Sequence, residues 1–510
     1  MDSRTPDVIV VGAGNAALCA ALSANEAGAS VLVLEKSPRA ERGGNTQVTG
    51  GGRYAYDDIN GLRDLFPDLI TDEVMQRLEV EPYTVEHYYG DLMRASQGRA
   101  DPELTMILAR ESAAWVQWLQ GLGVKYQVRW EMQGIFDKGD GKVYVSMQMG
   151  GTPVGPVGKM RAVLNHLFGI IESRGDMEIR YETKAVRLLV DGIGRVRGVQ
   201  VKDGTGFHDL EARGVILGCG GFEANPEMRT RYLGPGWDLA KVRGSRYNTG
   251  EGLQMALDIG AAMAGNVSGC HATNVFLSGP DVEMGDDAHA HFYPYGIEVN
   301  VHGKRFADEG SDFETYTYAR MGRAVLAQDG SIAYQLFDSK VTYLFERPYY
   351  QPDDPDQAGR GVSADSVEGV ADKLHAKGLK IDKEALLTTV REFNASVQGG
   401  SFDPITLDGK STASLDPPKS NWALPIDTPP FYCYPVTCGI TFTYGGLRID
   451  RHARVLDTEG KVIPGLYATG EVAGTFYDNY MGGAGIAKGG VFGRIAGKAA
   501  AAEIRGQTLS

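Results

Sequence analysis

The chain has 510 residues, 43% of them hydrophobic and 23% charged, which is enough for two or three domains around sizeable cores and ordinary for a globular protein. Its 51 basic and 65 acidic residues give a formal charge of −14, which argues against a nucleic-acid binder, expected to show a basic face, and against a polybasic membrane anchor. Five cysteines (Cys19, Cys219, Cys270, Cys433, Cys438) without CxxC spacing point to reduced thiols and no metal set; with no signal-like n-region and no run of eighteen apolar residues, the expected location is the cytoplasm.

Residues 7–11 form a short apolar run that enters the turn Gly12-Ala13-Gly14-Asn15-Ala16; residues 16–27 have helical composition, and 30–35 form a second apolar strand. Continuous apolar runs fit parallel strands buried on both faces, so a βαβ unit is predicted. Glycines in the first turn let backbone approach a dinucleotide pyrophosphate, a signal common to many nucleotide-binding proteins and weak alone. Glu35, 21 residues after Gly14, is placed to accept from both ribose hydroxyls of an adenosine and to repel a 2′-phosphate. Lys36 joins it in the expected cofactor set.

Glycine is in excess, 68 residues, nearly twice the usual share of about 7%. Arg42-Gly43-Gly44-Asn45-Thr46 and Gly50-Gly51-Gly52-Arg53 put two glycine clusters in a dozen residues, which suits backbone laid against a flat ring and a diphosphate. Helices are expected over 72–81 and 102–122. Residues 186–201 read as a hairpin in a small antiparallel layer, with Val186 near the cofactor. The run 214–217 is a buried strand ending in Gly218-Cys219-Gly220-Gly221. Asn248-Thr249-Gly250-Glu251-Gly252 opens an amphipathic helix over 253–259, whose N-terminal N–H groups suit the cofactor's diphosphate or sugar chain.

Residues 270–435 are richer in aromatics, histidine and proline, with turns at 351–355 and Asp416-Pro417-Pro418. They are read as an inserted α+β cap, dividing the chain into 1–269, 270–435 and 436–510. The run from His289 through His291 to Tyr295 is a candidate cap-side pocket wall. The chain then reads Gly465-Leu466-Tyr467-Ala468-Thr469-Gly470-Glu471-Val472 and ends in a helix over 485–504. A strand returning beside the first, with Glu471 meeting ribityl hydroxyls, joins the N-terminal turn in predicting a tightly held FAD on an α/β, Rossmann-like domain. The helix starting near Gly485-Ile486-Ala487 can aim its dipole at flavin N1 and C2=O.

Five stretches carry a resemblance: residues 12–35, Arg42-Gly43-Gly44-Asn45-Thr46, His302-Gly303-Lys304-Arg305-Phe306-Ala307-Asp308-Glu309, Gly439-Ile440-Thr441-Phe442-Thr443-Tyr444, and Val491-Phe492-Gly493-Arg494. In that order they resemble the flavoprotein family of fumarate reductases, succinate dehydrogenases and 3-ketosteroid dehydrogenases, with tricarballylate dehydrogenase the nearer pattern. The resemblance implies hydride transfer between a CH–CH bond beside a carboxylate or ketone and flavin N5, with a second group moving the proton.

The resemblance also shows departures. An arginine acid of the fumarate-reducing branch is replaced around Asp312-Phe313, its histidine by Thr441, and its substrate-gripping arginine by Tyr480. Simple fumarate reduction is therefore not expected. The histidine that bonds FAD covalently in succinate dehydrogenases corresponds to Asn45, implying a non-covalent cofactor. Gln47-Val48-Thr49 in place of tricarballylate-binding cations implies a less anionic substrate, a mono-acid or a ketone.

Tyr480, Tyr444 and Thr441 are the catalytic candidates, and Arg53, Tyr295 and His291 the substrate-binding ones. Tyr295, His291 and Tyr54 all remain open as proton-transfer residue. Arg305 is expected to pair with Asp308 or Glu309. A dehydrogenase passing electrons to a separate carrier is expected, with an enoate or enone reductase, or a ketosteroid-dehydrogenase-like ketone 1,2-desaturase, as alternatives. A flavin-binding subunit without chemistry is the reading from another class.

Overall fold

A computed structural model describes residues 5–130, 134–137, 140–284, 289–345 and 359–507; the turn expected at 351–355 lies outside them. The first sheet has six strands in the spatial order Arg454–Leu456, Val462–Ala468, Gly214–Leu217, Val8–Val11, Val31–Leu34, Met177–Arg180. Val8 pairs with Val31 on one side and Gly214 on the other, both parallel, and the four residues of Val8–Val11 are all buried. Full burial of such side chains stabilises by about 1.5–3 kcal/mol each, which is why these runs carry no polar alternation.

The strand leading to Glu471, expected directly beside the first strand, is not there. Val462–Ala468 pairs with Gly214–Leu217, one position further out. Contact between the chain's two ends is made by helices instead. Asn15–Glu26 and Ala484–Ile504 cross so closely that a Cβ at Gly493 would meet Ala16 O at 2.5 Å, and one at Gly497 would meet Ala20 O at 2.3 Å. Small residues four apart on both helices permit this, and it brings both N-termini to one place.

The expected hairpin gains a third strand, Lys184–Val190, Val196–Asp203 and Gly206–Glu211 forming one antiparallel layer. The helix expected over 72–81 stops at Arg77, because Leu78–Val80 pairs as a strand with Val143–Val145. Tertiary pairing there overrides helical composition.

The second sheet is built on the thirteen-residue strand Phe431–Thr443. It pairs with Cys270–Phe276, Ile332–Asp338 and Val362–Ala364 antiparallel, and with Lys241–Arg243 parallel. The helix Glu314–Leu326 packs over this sheet. Position 435 thus falls inside a strand and the sheet takes in 241–243, so a division that keeps the sheet whole runs from 241 to 443.

Candidate active site

Where the two sheets meet lies a cavity of about 340 Å³. The loop after Val8–Val11 brings Gly12, Ala13, Gly14, Asn15 and Ala16 to its wall. Gly12 has φ +102°, and a Cβ there would stand 2.6 Å from Gly218 O, so the tight approach of the two strand ends requires glycine. Gly14 precedes the first helix and gives it no side-chain cap, leaving N–H groups for an anion. A Cβ added at Gly44 would meet only Asn248 Oδ1, at 4.0 Å. These positions form an open backbone cradle that a dinucleotide fits.

On one side of this cradle, Glu35 lines the cavity and accepts the Ser37 N–H at 2.8 Å; burial pushes its carboxyl above the usual range. Lys36 Nζ donates to Thr249 Oγ1 at 2.5 Å and to Glu251 Oε2 at 2.7 Å. Lys36, with hydrogen bonds from Lys184 and Thr249, offsets burial and draws the Glu251 carboxyl down to about 2.

Elsewhere on the wall, Glu471 accepts the Thr443 N–H at 2.8 Å. Asn45 Nδ2 donates to Glu223 Oε1 at 2.7 Å and Thr441 O at 2.6 Å, and Asn45 Oδ1 accepts the Ser245 N–H at 2.7 Å. Asn248 Nδ2 also donates to Glu223, at 2.5 Å. The position expected to lack a covalent attachment is thus an amide bolted into a hydrogen-bond network.

The cap side closes the cavity with a chamber of rings around His271. His271 lies 4.8 Å from Tyr318, 5.2 Å from Phe442 and 5.3 Å from Tyr480, centre to centre. Burial, then Arg243 and His291, hold its imidazole neutral well below the ordinary value, and its Nδ1 has no partner among the described residues. Arg243 Nη1 donates to Thr441 Oγ1 at 3.4 Å, and Nη2 donates to His289 Nδ1 at 3.4 Å. His291 Nδ1 stands 2.5 Å from Glu314 Oε1, and Nε2 stands 2.5 Å from Thr273 Oγ1. A proton on Nδ1 faces the carboxylate, which leaves Nε2 to accept the threonine hydroxyl. Burial raises Tyr318 and Tyr480, so both remain O–H donors.

Gly12, Ala13, Gly14, Asn15, Ala16, Glu35, Lys36, Gly43, Gly44, Asn45, Thr46, Gly220, Glu251, Gly470, Glu471, Gly485, Ile486, Thr441, Tyr480 and His291 all line this cavity. Eight expected residues do not. Arg53 is 2% exposed and donates to Met147 O, Tyr83 Oη and Gly482 O; it is a strut beneath the Gly482-Gly483 turn, not a carboxylate clamp. Tyr295 packs against Trp422 and Phe402 and donates to Pro404 O. Tyr444 is fully buried beside Phe442 and Phe476.

Gly51 and Gly52 make room for other side chains; a Cβ on Gly52 would stand 2.4 Å from the Trp115 ring. Gly221 clears the Glu471 carboxylate, 2.1 Å from where its Cβ would be. The strand carrying Val186 reaches the cavity with Lys184 and Ala185 instead. Tyr54, left open for proton transfer, donates to Val154 O within the core.

Arg243, His271, Tyr318, Glu314, Thr273 and Lys488 line the cavity and were missed. Lys488 alone had a signal: a lysine in a helix otherwise made of glycine, alanine and apolar residues near its start.

A glycine-lined cradle that a dinucleotide fits, a buried carboxylate on its wall and a capped chamber of proton donors suit an FAD-dependent oxidoreductase. The chain belongs to the FAD binding domain family, whose model matches residues 7–487. It is 30% identical to a fumarate reductase (cytochrome) of Shewanella frigidimarina over 98% of this chain and 77% of that one. It is 27% identical to 4-oxocyclohexanecarboxylate 2-dehydrogenase of Sinomonas cyclohexanicum, over 98% and 94% of the two chains. Its fold is similar to that of a 3-ketosteroid Δ1-dehydrogenase from Sterolibacterium denitrificans, with a TM-score of 0.71 at 23% identity over 98% and 100%. The protein is an FAD-dependent oxidoreductase by family. No helix among the described residues is long and apolar enough to cross a membrane.

Proposed function

We propose that the protein is a dehydrogenase that desaturates a mono-acid or cyclic ketone and passes the electrons to a separate carrier, in the cytoplasm. The observation that carries this reading is the composition of the chamber. One guanidinium, Arg243, stands among neutral donors, His271, Tyr318 and Tyr480, whereas a tricarboxylate would call for several cations. Phe313, at the place of the fumarate-reducing branch's arginine, packs on Trp422.

FAD, when bound, supplies the hydride acceptor; the proposed attachment is non-covalent, since Asn45 offers no nucleophile. Arg243 and Thr441 orient the activating carboxylate or carbonyl. Tyr480 and His271 donate to its oxygen as negative charge develops there. His291 takes the α-proton at Nε2, directly or through the Thr273 hydroxyl, and Glu314 at Nδ1 stabilises the resulting imidazolium. In this proposal the electrons leave to an external acceptor.

The test is anaerobic. Saturated mono-acids and cyclic ketones are added to yellow holoenzyme, and bleaching near the visible flavin band is followed. Bleaching by at least one supports the reading. The second reading, an enoate or enone reductase, is favoured by the 30% identity to a fumarate reductase; it is the outcome if only unsaturated compounds reoxidise the reduced enzyme.

A further inference from the structure

Lys488 lies just after the first turn of the C-terminal helix Ala484–Ile504. It is 3% exposed and lines the cofactor cavity. It also lines a second pocket of about 20 Å³, which shares Tyr480 and Phe476 with the first. Nζ donates to Ala473 O at 2.9 Å and stands 4.6 Å from the centre of the Phe476 ring. An ammonium carries three donors. The small pocket has room for one water, which needs about 10–15 Å³ and polar partners. Its wall includes Thr475, whose buried hydroxyl lacks a partner among the described residues.

We infer that Lys488 is the proton-accepting group of the cofactor site, gaining a proton at Nζ when negative charge enters the cavity and losing it when that charge leaves. The inference rests on FAD occupying the cavity and is independent of the substrate assigned above. Burial presses the amine down to about 7, against the pull of Glu471, so a small change in local charge decides its state.

The groups facing Lys488 are few. Glu471 comes from the turn Gly470–Val472, with Glu223 beyond it; burial and Glu471 push the Glu223 carboxyl well up. Tyr477 and Tyr480 come from the loop before the helix. The helices Val85–Ala95 and Pro102–Gly121 contribute Leu92, Ala95, Leu104 and Leu108 to the small pocket, none of which titrates.

Two electrons entering the bound cofactor with one proton add one net negative charge. Lys488 then takes one proton from solvent to become an ammonium, so two protons accompany two electrons. Holoenzyme without substrate is titrated spectroelectrochemically around pH 8, about one unit above the value of about 7 for the amine. The pH dependence of the midpoint potential counts the protons. Close to two are expected for the native enzyme, and close to one for both Lys488→Met and Lys488→Arg. The Arg variant, permanently charged, should keep the higher potential of the two. Glu223→Gln should leave the count at two. A native count of one overturns the inference, as does a count of two in either lysine variant, which would move the proton to the carboxyl pair. Should the Met variant lose FAD, the Arg variant and the native count decide.

Discussion

The hydroxyl oxygen of Tyr480 accepts the backbone N–H of Gly485 at 3.1 Å. That N–H belongs to the first turn of the C-terminal helix, which Gly483 leaves without a side-chain cap. The phenol therefore receives a bond from the positive end of a helix, which strengthens its own O–H as a donor into the chamber.

Tyr480→Phe removes this donor while keeping the ring. Turnover should fall about 10²–10³-fold, the usual cost of losing one donor to a developing oxyanion, with the FAD:protein ratio unchanged. Activity within threefold of native would remove Tyr480 from the mechanism.

Arg243→Gln should raise KM for an acid substrate more than it lowers kcat. A hydrogen bond to a charged group contributes about 1.5–3 kcal/mol, so kcat/KM should drop between ten- and a hundredfold. A neutral ketone of similar size should lose less. Equal loss for both would show that Arg243 only props Thr441 and His289.

For Glu314→Gln the readout is proton exchange. With the imidazolium of His291 no longer stabilised, washout of deuterium from the activated carbon should slow about 10²–10⁴-fold, the range of general acid–base catalysis. Substrate affinity should stay within a few fold. Unchanged washout would place the base elsewhere, with Tyr318 the next group in the chamber.

Gly490→Ala is a stability prediction. Its Cβ would fall 2.1 Å from Trp115 Nε1, and Trp115 is 1% exposed, so the ring cannot yield. Overpacking of this kind costs about 1–3 kcal/mol, measured as a lower urea midpoint with an unchanged slope. A midpoint equal to native would show that the helix shifts freely.

Lys488 also sets a pH dependence in the apoprotein. Its folded value of about 7 lies below the roughly 10.4 of an unfolded lysine. Between these values the unfolded chain binds the extra proton, so stability rises as pH increases across that window. The gain is on the order of a few kcal/mol in total, at about 1.4 kcal/mol per unit. Urea unfolding of apoprotein at about pH 7 and 9 should show it, and Lys488→Met should flatten the slope. A native slope of zero contradicts the buried amine.

Much of the cofactor site was legible in the sequence, because it is made of backbone. Gly12, Gly43 and Gly470 are needed where chain segments approach closely, and such needs are written in residue type and spacing. The chamber was legible only in part, because it depends on where side chains point. Arg53 follows three glycines and reads as a clamp, yet its guanidinium turns back to Met147 O and Gly482 O. Arg243 sits on a three-residue strand, Lys241–Arg243, which reads as a basic surface run until that strand joins the cap sheet. Tyr318 and Glu314 belong to a helix whose inward face is set by the sheet it covers.

Phe431–Thr443 is anchored at one end among the cap strands and at the other by the Thr443 N–H on Glu471 and the Asn45 amide on Thr441 O. One continuous strand thus spans the cap sheet and the residues proposed to hold the cofactor. Any movement of the cap strands is therefore carried to those residues. Product escape and cofactor retention become two readings of the same spring, and a chain stripped of its nucleotide should also breathe more widely at its lid.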